Sequence, residues 1–252
     1  MKQRSKAFGD LVTRYKAGDF ISVWQEIRAF EVLEDDLRKE VETVAHETMQ
    51  RVAHNVDLLA ARLGAKGWQP LTEDLRTLPD PEDVRIFSEI ERITKGPIPT
   101  SLLAFWQVVG GVDLVWNYVS GENPPQLLSS VELELDVLDP LAIISPSNIE
   151  WQFDEWEDAI EDTPPELLGP FYLELAPDDL HKANISGGEP YGIELPFSGA
   201  DPIFAGEAHQ FPFVDYLRHC LRWGGFSHLE QHADEAGVSQ LVKMLTAEFE
   251  PF

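Results

Sequence analysis

Apolar residues in the first part of the chain recur in steps of three and four. Leu33, Leu37, Val41, Val44, Thr48, Val52, Val56, Leu59 and Leu63 form one series, and no Gly or Pro interrupts Glu31 to Leu63. That spacing puts all nine on one stripe of an α-helix, with Gly64 suited to end it. Ahead of it, Lys6 to Lys16 is a short amphipathic run, broken at Ala17-Gly18, and Asp19 is placed to cap the next helix. The seam of the long helix needs a cover. Either neighbouring elements supply it, or the same seam of a second copy does, giving a homodimer through the N-terminal helices.

Gly67 to Pro81 contains Pro70, Pro79 and Pro81 and reads as a connector. A helix follows over Glu82 to Thr94, with Val84, Phe87, Ile90 and Ile93 on one face, ended by Gly96-Pro97. Pro99-Thr100-Ser101 opens another over Leu102 to Val109, and Gly110-Gly111 stops it. The period then changes. Val112, Leu114, Trp116 and Tyr118 alternate as one face of a strand over Val112 to Val119, and Gly121 to Pro125 is a loop. Pro140 to Ser145 reads as a buried strand, and Phe171 to Leu175 and Tyr191 to Phe197 as two more; Pro202 to Ala205 is too short to assign. Trp151 to Glu161, Phe213 to Trp223 (stopped by Gly224-Gly225) and Val238 to Phe249 are helical patterns. Helices come first, strands gather in the middle and helices return, which argues an α+β fold rather than alternating α/β. The corresponding division is an N-terminal helical module, residues 1–66, and an α+β domain, residues 67–252.

Charge sharpens this picture. The 252 residues carry a formal net charge of -26. Gly96 to Leu217 alone holds 22 acidic residues against one cation, Lys182, while the flanking segments are close to balanced. Such a chain repels nucleic acid and anionic membranes, whose phosphates require cations, and attracts basic partners. No run approaches the roughly 20 apolar residues of a membrane span. The basic start, Lys2, Arg4 and Lys6, is not followed by a signal-peptide core. A single cysteine, Cys220, fits a reducing compartment. The expectation is a cytoplasmic protein that binds neither nucleic acid nor membrane.

Several blocks resemble a known family. Gly96-Pro97-Ile98-Pro99-Thr100-Ser101-Leu102-Leu103-Ala104-Phe105-Trp106, closed by Gly110-Gly111, is similar to the opening helix of the SUKH superfamily domain. Asp139-Pro140-Leu141-Ala142-Ile143-Ile144 is similar to its following strand. Leu180 to Gly188, and Phe213 to Arg218 continuing through Trp223-Gly224-Gly225-Phe226, resemble blocks of bacterial proteins of this kind. The resemblance spans about Lys95 to Phe226 and leaves out the N-terminal helices. It implies a single mixed or antiparallel sheet flanked by helices, with no cofactor and no catalytic residues; the residues themselves give no expectation of a metal. Bacterial members resemble immunity proteins that bind and neutralise toxins, often nucleases. Fungal members resemble regulatory scaffolds of cell-wall assembly.

The residues suited to binding such a partner are Glu150, Trp151, Asp154, Glu155, Trp156, Glu157, Asp158, Glu161 and Asp162. On a helix, Trp151, Glu155 and Asp158 follow i, i+4, i+7, as do Asp154, Asp158 and Glu161. Like charges at that spacing destabilise an isolated helix, and a cationic partner relieves the repulsion. The tryptophans supply interface anchors; the competing reading is a solvated acidic face with its aromatic residues in the core. Other chemistry is thin. His228 and His232 are four apart, but no HExxH pattern supplies a zinc site. Asp201, Glu207 and His209 could build a metal-dependent hydrolase only through generic spacing. Gly187-Gly188 and Gly224-Gly225 lack phosphate-loop patterns and read as turns. Ser186, Ser198 and Ser227 lack a GxSxG context, and Cys220 reads as a buried, inert thiol.

Overall fold

A computed structural model of the chain describes residues 10–30, 33–119, 126–131, 133–164 and 167–252. The basic start, the beginning of the Lys6 to Lys16 run, Glu31 and the Gly121 to Pro125 loop lie outside these.

Three helices open the fold: α1 (Leu11–Lys16), α2 (Phe20–Arg28) and α3 (Asp35–Ala65). Asp19 holds the N-cap position of α2, and its carboxylate receives the guanidinium of Arg14 at 2.9 Å. The seam read from the periodicity of α3 is buried in full, from Leu37 through Leu63. Thr48 sits in it with its hydroxyl paired. Its hydroxyl donates to the Val44 carbonyl at 2.8 Å and accepts the Trp24 indole N–H at 3.0 Å, so both polar groups are satisfied. Gly64 proves to be helical, and the left-handed residue past the end is Gly67, with φ +73°.

Next come β1 (Arg76–Thr77), α4 (Val84–Thr94), α5 (Thr100–Val108), β2 (Gly111–Asp113) and β3 (Ala142–Ile143). The α4 face is rotated from the expected one. Ile86, Ile90 and Thr94 are buried, with Phe87 and Ile93 at the core margin, and Val84 is 65% exposed. β2 ends at Asp113, well short of the expected Val119. The Asp113 carboxylate accepts the N–H of Val115 at 2.9 Å, and this local bond interrupts the ladder before Trp116 makes an isolated bridge to Pro70. Leu114, Val115 and Trp116 are then buried in succession instead of alternating.

The remainder comprises α6 (Trp151–Asp162), β4 (Phe171–Ala176), α7 (Asp179–Lys182), β5 (Tyr191–Leu195), α8 (Phe213–Arg222) and α9 (Val238–Leu245). Pro202 to Ala205 makes only isolated bridges, Ile203 with Pro212 and Ala205 with Gly192. Mixed α+β architecture is as expected, but the single sheet is not. Among the described residues there are two small antiparallel sheets, one ordered β1-β2-β3 and the other β4-β5. Arg76 pairs with Val112, and Val112 with Ile143; Phe171 pairs with Leu195 and Leu173 with Ile193. One hydrogen bond joins the two sheets, from Ile144 N–H to Leu175 O at 2.8 Å. Strands of two or three residues cannot bury a face alone, so helices finish the job.

α3 does most of this covering, packing on α1, α5, α8 and α9. Its buried Asn55 holds the chain end by exchanging two hydrogen bonds with the Glu250 backbone, at 2.9 and 2.7 Å. Arg28 of α2 reaches Asp201 at 2.8 Å and Asp215 of α8 at 2.7 Å. One apolar core therefore runs from Leu11 to Phe252. The α3 seam is filled by its own chain, which leaves those residues unavailable as a dimer seam. Two glycines are required where the core is tightest. Gly110 has φ +88°, and a Cβ there would lie 2.0 Å from the Thr77 carbonyl oxygen; at Gly225, φ +86°, it would lie 2.6 Å from Leu114 Cδ1. The other glycine pair singled out in the sequence, Gly187-Gly188, also has positive φ and turns the chain.

Among the described residues, no helix is long and apolar enough to cross a membrane.

Candidate acidic and aromatic binding surface

α6 is fastened to the rest of the fold by one polar residue and two rings. Gln152 is buried, and its side-chain amide pairs with the backbone of Glu174 in β4: Nε2 donates to the carbonyl at 2.9 Å, and Oε1 accepts the N–H at 2.9 Å. A side chain thus takes the place of a neighbouring strand on the free edge of β4, which would otherwise be an open pairing edge. Phe153 is buried beside it, and Trp156 packs edge-to-face on Phe171, centroids 5.3 Å apart. These contacts fix which face of α6 meets solvent.

Trp151 is 46% exposed, and Asp154, Glu155, Glu157, Asp158, Glu161 and Asp162 are exposed with it, as is Glu150 just before the helix. The nine expected residues therefore divide. Trp156 serves mainly as a packing residue. Glu150 and Glu157 are answered from within the chain, by Arg85 at 3.3 Å and Arg92 at 2.9 Å, both from α4. These pairs are exposed and screened. Among the described residues no ion pair is formed by Asp154, Glu155, Asp158, Glu161 or Asp162. Trp151 and these five carboxylates are the part of the expected site that faces outward.

The one cation of the acidic middle segment does not offset them. Lys182 is buried, with its ammonium 2.7 Å from Asp139 and 4.4 Å from the centre of the Tyr191 ring. Burial alone would raise the Asp139 carboxyl, but the charge and hydrogen bond of Lys182, with a hydrogen bond from Ser227, hold it below its ordinary value. The segment from Gly96 to Leu217 consequently places no lysine or arginine on its surface.

Beside Trp151 lies a groove of about 560 Å³ between the two sheets. Val112, Ile143 and Leu175 contribute apolar surface, and Trp151, Asp113 and Glu174 also line it. Leu71, 55% exposed, is a further apolar lining residue. Burial pushes the Asp113 carboxyl above its ordinary value, against the hydrogen bond from Val115. Glu174 is raised too, by burial first and then by the negative charge of Glu155 and Glu189. Both carboxyls thus gain from an incoming positive charge. Nothing in the sequence pointed to Asp113 or Glu174, because each reads as an ordinary polar strand position.

Of the Asp201, Glu207 and His209 trio only two meet: Glu207 Oε2 lies 3.4 Å from His209 Nδ1, and Asp201 is held elsewhere. Asp201 is committed to Arg28 and to the N–H of Val214, at 3.1 Å. Glu207 accepts the N–H groups of His209, at 2.8 Å, and Phe211. His228 and His232 lie in a 3-10 stretch, Ser227–His232, where four-residue spacing does not align side chains. His228 lies 3.9 Å from Asp139 and His232 2.6 Å from Glu235. Cys220 is fully buried, and burial drives its thiol far above the ordinary value.

Compared with models of known families, with characterised proteins and with solved structures, the chain matches none.

Proposed function

We propose that this chain is a binding protein whose acidic face docks a cationic protein, in the manner of an immunity protein neutralising a basic toxin such as a nuclease. The observation that carries the proposal is the burial of Lys182 against Asp139. It leaves the acidic middle of the chain with no surface lysine or arginine, next to an exposed Trp151. Fields of one sign speed encounter with the opposite sign, and an exposed indole at the edge of a groove is the kind of anchor that dominates interface energetics.

The groove gives the contact a chemistry. An arginine or lysine side chain lying across Trp151 would gain a cation–π contact, worth about 0.5–2 kcal/mol depending on desolvation, and would meet Asp113 and Glu174 further in. Both carboxyls are raised in the free chain, and a docked cation would favour their charged forms. Affinity then falls as pH drops through their range. The resemblance of residues 95–226 to the SUKH domain points to the same kind of partner.

The test is capture from the source cell on the immobilised chain, with D154K/E155K/D158K as comparison. The expected partner is a basic protein, held stoichiometrically, lost from the charge-reversed chain, and released at about 1 M salt, where the Debye length is about 3 Å. Equal retention of that same partner by both chains, both shown folded by circular dichroism, would overturn the reading.

A further inference from the structure

Away from the groove, three side chains from three successive segments of the chain converge. His209 lies in the segment after β5, His219 on α8, and Glu230 in the 3-10 stretch that follows. Each offers one ligand atom, and the three atoms lie within 4.8 Å of one another. His209 Nε2 is 3.0 Å from Glu230 Oε2, and His219 Nε2 is 3.8 Å from the same oxygen. We propose that His209, His219 and Glu230 bind a single divalent transition-metal ion, and that zinc is the ion their chemistry fits best.

The distances suit it. Zinc takes imidazole nitrogen and carboxylate oxygen at about 2.0–2.2 Å, so ligand atoms around a tetrahedral ion stand about 3.3–3.5 Å apart. The two observed separations bracket that value, and Glu230, 46% exposed, is free to adjust. Hard cations such as calcium and magnesium prefer all-oxygen sets, whereas two imidazoles with one carboxylate suit zinc and its neighbours in the first transition row.

The support behind the ligands is also built. Glu207 is buried, and its Oε2 lies 3.4 Å from His209 Nδ1 while accepting the His209 backbone N–H. A carboxylate behind one ring nitrogen leaves the other nitrogen turned to the ion, which is the usual outer arrangement of a metal-bound histidine. Phe211 stacks flat on His209, with centroids 4.8 Å apart and planes within 5°, and lies 5.5 Å from His219. The two imidazoles are 4.5 Å apart. His219 is 9% exposed, and its Nε2 is 3.2 Å from the Ser227 carbonyl oxygen. Coordination through that nitrogen exchanges this hydrogen bond for a metal bond. Three protein ligands leave the fourth position of zinc to water or to a group on a partner.

An ion pair between His209 and Glu230 would need no metal, and the test separates the two. The full chain, stripped with chelator, is titrated with Zn²⁺ by calorimetry and with Co²⁺ by visible absorption. The expected result is one ion per chain, with the absorption bands of four-coordinate Co²⁺ and a rise in melting temperature on adding zinc. H209Q and E230Q alter exposed side chains, so both should melt near the wild type in chelator. Each should weaken zinc binding at least about tenfold and lose the zinc-dependent rise. Glu207 is a positioning residue, and E207Q should weaken binding by roughly 10–100-fold while keeping the stoichiometry. H181Q and H232Q should bind as the wild type does. Absence of one-to-one binding, or unchanged affinity in both H209Q and E230Q, would overturn the proposal.

Discussion

Replacing Lys182 with methionine isolates a fully buried charge of the fold. The substitution keeps most of the side-chain volume and removes the ammonium that lies 2.7 Å from Asp139. What remains around the carboxylate is Ser227, which donates from its hydroxyl, and His228 at 3.9 Å. Both members of the pair are at most 4% exposed in their side chains, so water does not replace the lost partner. Breaking a buried pair from one side costs about 3–5 kcal/mol. At about 2–4 °C per kcal/mol for a chain of this length, the melting temperature should fall by roughly 6–20 °C. The pH dependence gives a second readout. In the wild type Asp139 is held below its ordinary value, so its contribution is present above the unfolded-state pKa, about 3.9, and is lost as pH falls through the folded value. In K182M burial acts without the ammonium and raises the carboxyl, so the variant folds with a proton taken up. Its deficit should therefore grow between about pH 4 and pH 7. Adding D139N removes the stranded charge and should recover part of the loss. Chemical denaturation of the three proteins at about pH 4 and pH 7 measures all of this. A deficit below about 1 kcal/mol at pH 7, or one that does not change with pH, would refute the account of Lys182 as a neutralised core residue.

Two further outcomes follow from other buried groups. Q152A strands the N–H and carbonyl of Glu174, which its side chain now satisfies at 2.9 Å each. It should cost about 1–3 kcal/mol and speed amide exchange at Glu174 and along α6, and unchanged exchange there would show that α6 is held by Phe153 and Trp156 alone. Cys220, fully buried with its thiol raised by desolvation, should resist a disulfide reagent in the native chain and react stoichiometrically in denaturant; fast native labelling would contradict the packing of α8.

Some of this architecture is dictated locally. A seam in steps of three and four specifies α3 whatever covers it, because the period of the helix aligns those side chains. Leu37 to Leu63 are accordingly buried where the pattern put them. The helices at Thr100–Val108 and Phe213–Arg222, bounded by Pro and Gly, are legible for the same reason, as is the concentration of acid between Gly96 and Leu217. The strands are less so. β2 stops at Asp113 because a carboxylate caps the turn to Val115, and alternating Val112, Leu114, Trp116 and Tyr118 carry no sign of that bond.

What surrounds each residue was decided only when distant segments met. Periodicity identifies an apolar face and leaves its cover open, so α3 could have met a second copy; α1, α5, α8 and α9 of its own chain fill that place instead. The sequence counts Lys182 as one cation among 22 acids, and only the approach of Asp139, 43 positions away, removes it from the surface. Trp151 and Trp156 are equivalent letters until Phe171 takes one ring and leaves the other in solvent. His209, His219 and Glu230 follow no ligand spacing, because their convergence depends on how the segment after β5 lies against α8. Local periods set the elements; long-range packing and the loss of water around each charge set the sites.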